Sequence, residues 1–260
     1  KTGQEYQQKA GLSLDRIERL LADLNNPHKK IKNVIQVVGT NGKHSFCTSL
    51  REILETAGYT VNLNVSPSLR KFNERFYFSG KYISDDKLIK LLLEVEKINQ
   101  GKSITFHEFI CACYFLESSR NQSNINIIEA GLFFRLDASN VLEKNIASVV
   151  MPIGVDHKDF LKKGTIDEIV YEKCSHLLDK SKIFISKQKI HVLNKIKKNI
   201  SKNSSKKFIY GKNFSYKKFS RSFIYKDKIG KINLPLPNLL GDFQIDNVST
   251  AIAVARNINK

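Results

Sequence analysis

Hydrophobic positions along the chain follow two periods in alternation. Short runs rich in β-branched residues, at Val34–Val38 and at residues 60–65, 125–128, 147–153 and 183–186, read as strands buried on both faces. Between them, apolar residues three and four apart predict helices. The first carries Leu12, Leu14, Ile17, Leu20, Leu21 and Leu24 and ends before Asn25-Asn26-Pro27; the second carries Phe46, Leu50, Ile53 and Leu54 and stops at Gly58. Further helices are predicted over residues 85–98, 105–117, 165–178 and 191–200, and a last one bears Ile245, Val248, Ala251, Ile252 and Val254. Residues 75–83 read as a hairpin across Ser79-Gly80, and residues 208–236 alternate enough for two or three antiparallel strands. The predicted fold class is α/β: a mostly parallel sheet flanked by helices, with a small antiparallel β portion near the C-terminus. Neither an internal repeat nor an interdomain linker interrupts it.

Candidate chemistry centres on VIQVVGTNGKHS, residues 34–45. The strand breaks at Gly39 into a loop with a second glycine at Gly42, followed by Lys43 and a helix. Glycines let backbone N–H groups turn towards an anion, a helix N-terminus adds partial positive charge, and Lys43 supplies a full one. Ser45 can offer a hydroxyl to magnesium. The general phosphate-loop pattern would need Gly at position 37 and Ser or Thr at 44, where the chain has Val37 and His44. A plain glycine turn with one solvated lysine is the alternative. The strand at 60–65 ends at Ser66-Pro67, where open α/β sheets place ligands.

Composition narrows the partners. With 260 residues, 41% hydrophobic and 26% charged, the chain is long enough for a sizeable core in one or two domains. It holds no run of 18 apolar residues, so no membrane span is expected. The opening KTGQEYQQKA has no apolar stretch and no initiator Met; the expectation is no signal peptide and a start inside a longer reading frame. Forty-three Lys and Arg against 25 Asp and Glu give +18. The lysines, densest from 180 to 231, alternate with Asn, Ser and Ile without interleaved aromatic residues, so no nucleic-acid partner is expected and the charge reads as solvated surface. Cys47, Cys111, Cys113 and Cys174 form no CxxC, which fits reduced thiols in a cytoplasmic protein.

Six separated segments, GTNGKHS, SPSLRKFNERF, TFHEF, EAGLFFRLDASNV, GVDHKDFL with YEKCS beyond it, and LPLPNLLGDFQIDN, occur in one order. Together they resemble the folylpolyglutamate synthase and dihydrofolate synthase family of the Mur ligases, from about Leu12 to the C-terminus. The resemblance implies an ATP-dependent ligase adding L-glutamate to dihydropteroate and/or a (tetrahydro)folate through an acyl phosphate. By the same resemblance, Gly39, Thr40, Asn41, Gly42, Lys43, His44 and Ser45 would hold the ATP phosphates, and Gln244 and Asn247 would lie near purine and ribose. Ser66 and Glu129, with Ser45, would bind one Mg²⁺. His157 would bind a second Mg²⁺ with a carbamylated Lys173, and Lys43, His157 and Lys173 would be catalytic. Phe106, Glu108, Arg135, Leu136, Asp137 and Ala138 would serve the pterin side. Taken singly these residues have plainer readings: Glu129 as a strand-end carboxylate, His157 as a loop cap, Lys173 as a solvated lysine, Asn247 as a helix amide and Phe106 as a core aromatic.

Two departures bear on activity. His44 stands where the family usually has Gly or a small residue, and Phe133-Phe134 replace a glycine pair, with an expected loss of backbone freedom. The resemblance implies one Mur-type ATP-binding central domain over residues 1–260 with a short N-terminal helix, the family's C-terminal domain beginning where this chain stops. The expectation is therefore weak ATP binding and little ligase activity for the chain alone, as a monomer or with a separately encoded C-terminal domain. A catalytically inactive nucleotide-binding remnant, or a Mur-type amino-acid ligase of cell-wall synthesis, is the alternative; TFHEF and FNERF favour folate.

Overall fold

Strand β1 (Val34–Val38) is buried along its whole length, which is why its sequence runs apolar without alternating. The computed structural model, which describes residues 11–258, sets β1 within an eight-stranded sheet. Around it the chain runs α1 (Asp15–Asp23), β1, α2 (Lys43–Thr56), β2 (Val61–Asn64), β3 (Phe76–Phe78), β4 (Lys81–Tyr82), α3 (Asp85–Asn99), α4 (Phe106–Arg120) and β5 (Ile125–Glu129). It continues with β6 (Ala147–Val150), α5 (Ile166–Cys174), β7 (Lys182–Ile185), α6 (Ile190–Asn199), β8 (Lys206–Ile209), β9 (Phe214–Lys218), β10 (Ser222–Asp227), β11 (Gly230–Pro235) and α7 (Phe243–Ile258).

Strand order is β4-β3-β2-β5-β1-β6-β7-β8, with β3 antiparallel to both its neighbours, β2 and β4, and the six strands from β2 to β8 in that order paired parallel. One face packs Ile35, Val37, Ile127, Val149 and Phe184 against α2 and α7, with the separate antiparallel sheet β11-β10-β9 beside them. On the other face, α1, α3 and α4 cover Val34 and Ile128, and α5 and α6 cover Val38, Val150, Ile183 and Ile185. Helices on both faces leave the ends of the parallel strands as the place for a ligand.

The α/β architecture and the small antiparallel sheet agree with the sequence reading, with local changes. Phe208 belongs to β8, a parallel edge strand of the main sheet, so antiparallel pairing covers only residues 214–235. Helix α5 stops at Cys174, before 178, and β6 stops at Val150, before 153. The buried strands also carry a polar seam. Asn62 donates to Asn126 at 3.2 Å, Gln36 to the Ser139 carbonyl at 2.8 Å, and Asn145 to both Gln36 and Ser148 at 2.7 and 2.8 Å. Partners of this kind offset the cost of burying amides in the sheet. The four cysteines are free and buried. Among the described residues no helix is long and apolar enough to cross a membrane. The stretch KTGQEYQQKA lies outside the described residues.

Candidate active site

The turn after β1 is shaped by two glycines, each with a positive φ and a close neighbour where a Cβ would stand. Gly39 has φ +148°, and a Cβ there would lie 2.7 Å from Met151 Cβ. Gly42 has φ +77°, and a Cβ there would run into Asn247 Oδ1. The Thr40 and Asn41 N–H groups both donate to the Pro152 carbonyl, at 2.9 and 3.2 Å. Thr40 Oγ1 accepts the Gly154 N–H at 3.1 Å and donates to the Gly154 carbonyl at 3.2 Å. The turn is thus tied to the segment after β6 and held in shape without a ligand. Because two of its N–H groups are spent on Pro152, attraction for an anion falls to the first turn of α2. That turn has no side-chain cap and no acidic residue, so its N–H groups point outward beside Lys43, His44 and Ser45.

Parallel pairing of β1 with β5 sets Val37 opposite Glu129 and brings the carboxylate to the same edge. Lys43 Nζ lies 3.7 Å from Glu129 Oε1, and Glu129 Oε2 accepts the Ser66 N–H at 3.1 Å. Burial pushes the Glu129 carboxyl up to about 7, against the pull of Lys43.

Lys173, on α5, is 2% exposed. Its Nζ donates to the Gly39 carbonyl at 3.1 Å and the Leu132 carbonyl at 3.0 Å, with the Phe133 ring 5.4 Å away. Burial, and next the charge of Lys43, pull its ammonium down to about 8. His157 follows β6 on a left-handed residue, φ +51°, its Nε2 3.3 Å from Asp156 Oδ2 and its ring edge-on to Phe133. Burial holds its imidazole below the ordinary value, opposed by Asp156 and reinforced by Lys173 and Lys43. Lys43, Glu129, His157 and Lys173, drawn from four elements, therefore meet at the C-terminal ends of β1, β5 and β6. Gln244 and Asn247, joined by a 2.9 Å hydrogen bond, close the side next to Gly42 from α7.

Phe133 and Phe134 do not need the freedom of glycine. Neither has a positive φ, and both are buried, Phe134 beside Val38 and Val150 and Phe133 against Lys173 and His157. His44 is half-buried, and burial lowers its imidazole against the influence of Glu74.

The residues that the resemblance assigns to the pterin side divide. Arg135 and Leu136 line an open cleft of about 670 Å³ with Leu12, Asp159, Phe160 and Glu172, and Arg135 pairs with Glu172 at 2.9 Å. Asp137 is buried and does not line that cleft; it receives His107 at 3.2 Å. Glu108 caps α4 by accepting the Thr105 N–H at 2.8 Å, and it receives Arg16 at 2.7 and 2.9 Å, so its carboxylate is fully engaged within the protein. Ala138 packs into the core under α4. Phe106 is not a core aromatic: it is 54% exposed, 5.8 Å from the Phe72 ring and 5.7 Å from the Arg75 guanidinium. Sequence reasoning passed over Asp156, although it adjoins His157, and His107, whose partner Asp137 lies 30 positions away with no local signal to join them.

A mostly parallel α/β sheet with a glycine turn, a helix N-terminus, a lysine and a buried carboxylate at its C-terminal edge has the layout that suits an anion at the end of an open α/β sheet. The chain belongs to the Mur ligase family, whose middle-domain description matches residues 37–255, and within it to the folylpolyglutamate synthase and dihydrofolate synthase branch. It is 39% identical over 168 residues to dihydrofolate synthase/folylpolyglutamate synthase of Bacillus subtilis, covering 62% of this chain and 38% of that protein. It is 29% identical over 254 residues to folylpolyglutamate synthase of Lacticaseibacillus casei, covering 93% and 58%. Among solved structures, E. coli FolC in complex with DHPP and ADP superposes with TM-score 0.85 at 27% identity, covering 96% of this chain and 58% of that one. An FPGS–AMPPCP complex gives TM-score 0.85 at 27% identity, covering 95% and 64%. The chain spans between about two fifths and two thirds of the length of these relatives.

Proposed function

We propose that the chain forms the ATP-binding central domain of a ligase that adds L-glutamate to dihydropteroate and/or a (tetrahydro)folate through an acyl phosphate. The observation that carries this reading is the Lys43–Glu129 pair beside the Gly39–Gly42 turn. A carboxylate 2% exposed is costly unless a cation shares it, and next to a phosphate-binding turn that cation serves the nucleotide. The relatives support folate over a cell-wall precursor as the acid substrate.

The donors suit magnesium. Among the described residues no three His, Cys, Asp or Glu side chains gather to hold a metal, which argues against an all-protein cage. Magnesium keeps several waters and takes phosphate oxygens, so one carboxylate with nearby hydroxyls is enough. Glu129, Ser66 and Ser45 would hold it, and it would screen charge on the phosphoryl group. Lys43 would take the β/γ end of ATP with the first turn of α2, and Gln244 and Asn247 would border purine and ribose. Arg135 and Leu136 would line the path of the pteroate, with Asp137 shaping the loop behind them.

His157 and Lys173 fit a second magnesium only if Lys173 is carbamylated, since an ammonium repels the ion. That reading is supported by the buried Nζ, which reaches two carbonyls but pairs with no carboxylate among the described residues. Addition of carbon dioxide to the neutral amine, with loss of a proton, would turn a poorly compensated cation into an oxygen ligand. The protein would act in the cytoplasm as a monomer, with a C-terminal domain in the same or a separate chain.

Isothermal titration of the full chain tests the reading. Weak ATP binding that needs magnesium is expected, followed by binding of dihydropteroate or folate only in the presence of the magnesium nucleotide, and Lys43→Met should abolish the first step. Magnesium-independent nucleotide binding with no uptake of either pteroate would favour an inactive nucleotide-binding protein.

A further inference from the structure

At the loop from Gly131 to Asp137, the buried Asp137 meets two side chains that have no part in the roles above, His107 and Cys111. His107 Nε2, in the first turn of α4, lies 3.2 Å from Asp137 Oδ2 and 3.6 Å from Cys111 Sγ one turn further on. Asp137 is saturated: Oδ2 also accepts the N–H groups of Gly131 and Leu132 at 3.0 and 3.3 Å, and Oδ1 accepts the N–H and hydroxyl of Ser139. A Cβ on Gly131 would lie 2.6 Å from His107 Nε2, so the imidazole rests against bare backbone. Leu132, whose N–H Asp137 holds, presents its carbonyl to Lys173 Nζ at 3.0 Å, and the same Nζ reaches the Gly39 carbonyl at 3.1 Å. An unbroken polar chain thus runs from His107 through Asp137, Leu132 and Lys173 to the first residue of the phosphate turn.

We propose that His107 is a positioning residue of this site: by holding Asp137 it fixes the Gly131–Leu132 turn and, through the Leu132 carbonyl, the orientation of Lys173. The inference rests on the reading of Lys173 and the Gly39–Gly42 turn as parts of the ligase site. Its physical basis is that His107 is the one basic side chain within ion-pair distance of Asp137 among the described residues. Without it, a buried carboxylate keeps only neutral donors and gains by moving towards water, which releases the two N–H groups that define the turn. A ring of similar size that cannot donate would fill the space and fail in this role.

The full chain is compared with its His107→Phe and His107→Gln variants, the second keeping an N–H donor near the place of Nε2. Two readouts need no ligase activity: hydrogen exchange at residues 131–134, with α6 as control, and labelling of Lys173 by an amine-acylating reagent read by mass spectrometry. His107→Phe should speed exchange at 131–134 by about tenfold while leaving α6 unchanged, and should raise Lys173 labelling several-fold. His107→Gln should restore most of both. Wild-type exchange and labelling in a folded His107→Phe would overturn the proposal. Should His107→Phe fail to fold, the isosteric Asp137→Asn must loosen the same segment, and full protection there would be equally fatal. Loosening in the variants of a chain that binds no magnesium nucleotide would support the positioning role and overturn the ligase reading, which separates the two.

Discussion

Replacing Gly42 by alanine tests whether the Gly39–Gly42 turn is held as rigidly as its hydrogen bonds imply. Two costs can be worked from the structure. Gly42 has φ +77°, and a residue with a Cβ pays about 1–2 kcal/mol in that left-handed region. The new methyl would also run into Asn247 Oδ1 and lie 3.1 Å from its Cγ. Turning the amide away sacrifices its 2.9 Å bond to Gln244, worth about 0.5–1.5 kcal/mol. Drift of the turn offers no escape, because Pro152 holds Thr40 and Asn41, and the Gly42 carbonyl accepts the Phe46 N–H at 2.9 Å. The expected loss is about 2–3 kcal/mol, read as a lower urea midpoint at unchanged slope. Adding Asn247→Ala removes the collision but leaves the backbone strain. The double variant should therefore be about 1 kcal/mol more stable than the sum of the single losses allows. A Gly42→Ala protein within about 0.5 kcal/mol of the parent, or strict additivity in the double variant, would refute the reasoning.

Other outcomes follow from the same geometry. Burial opposes charge on both Asp137 and His107, yet His107 and Ser139 hold Asp137 down to about 2, while Cys111 and Asp137 raise His107 well above its ordinary value. A depressed carboxyl contributes stability above its unfolded value of about 3.9 and loses it as pH falls towards 2; a raised histidine contributes below about 6.5 and loses it as pH climbs through its native value. The melting-temperature advantage of the parent over His107→Phe should thus be greatest between about pH 4 and 6.5 and shrink on either side, and a flat difference would contradict the pair. Phe46, fully buried between the sheet and α7, should cost about 3–5 kcal/mol as Phe46→Ala in urea denaturation, and a loss under about 1 kcal/mol would mean that α2 is not packed as described.

How much of this was legible in the sequence depends on the range over which each residue acts. Gly39, Gly42 and Lys43 are set by a strand, a turn and a helix that adjoin in the chain, so local pattern reaches them. Glu129 needed the resemblance, because its meeting with Lys43 depends on β5 pairing beside β1, and no local period encodes that register. Phe208 was misplaced for a related reason: a short alternating strand at a sheet edge looks the same whether its neighbour runs parallel or antiparallel. The polar seam of Gln36, Asn62, Asn126 and Ser148 was hidden by its apolar surroundings, since an amide in a buried strand is explained only by its partner across the sheet. Lys173 shows the same limit most sharply. On the helix it reads as a solvated lysine beside Glu172, yet the two side chains part company: Glu172 turns to Arg135 at the cleft, and Lys173 turns inward to the carbonyls of Gly39 and Leu132. Adjacent positions on a helix face different ways, so the pair that looked like surface charge splits into one residue at the open cleft beside Arg135 and one at the Gly39–Gly42 turn.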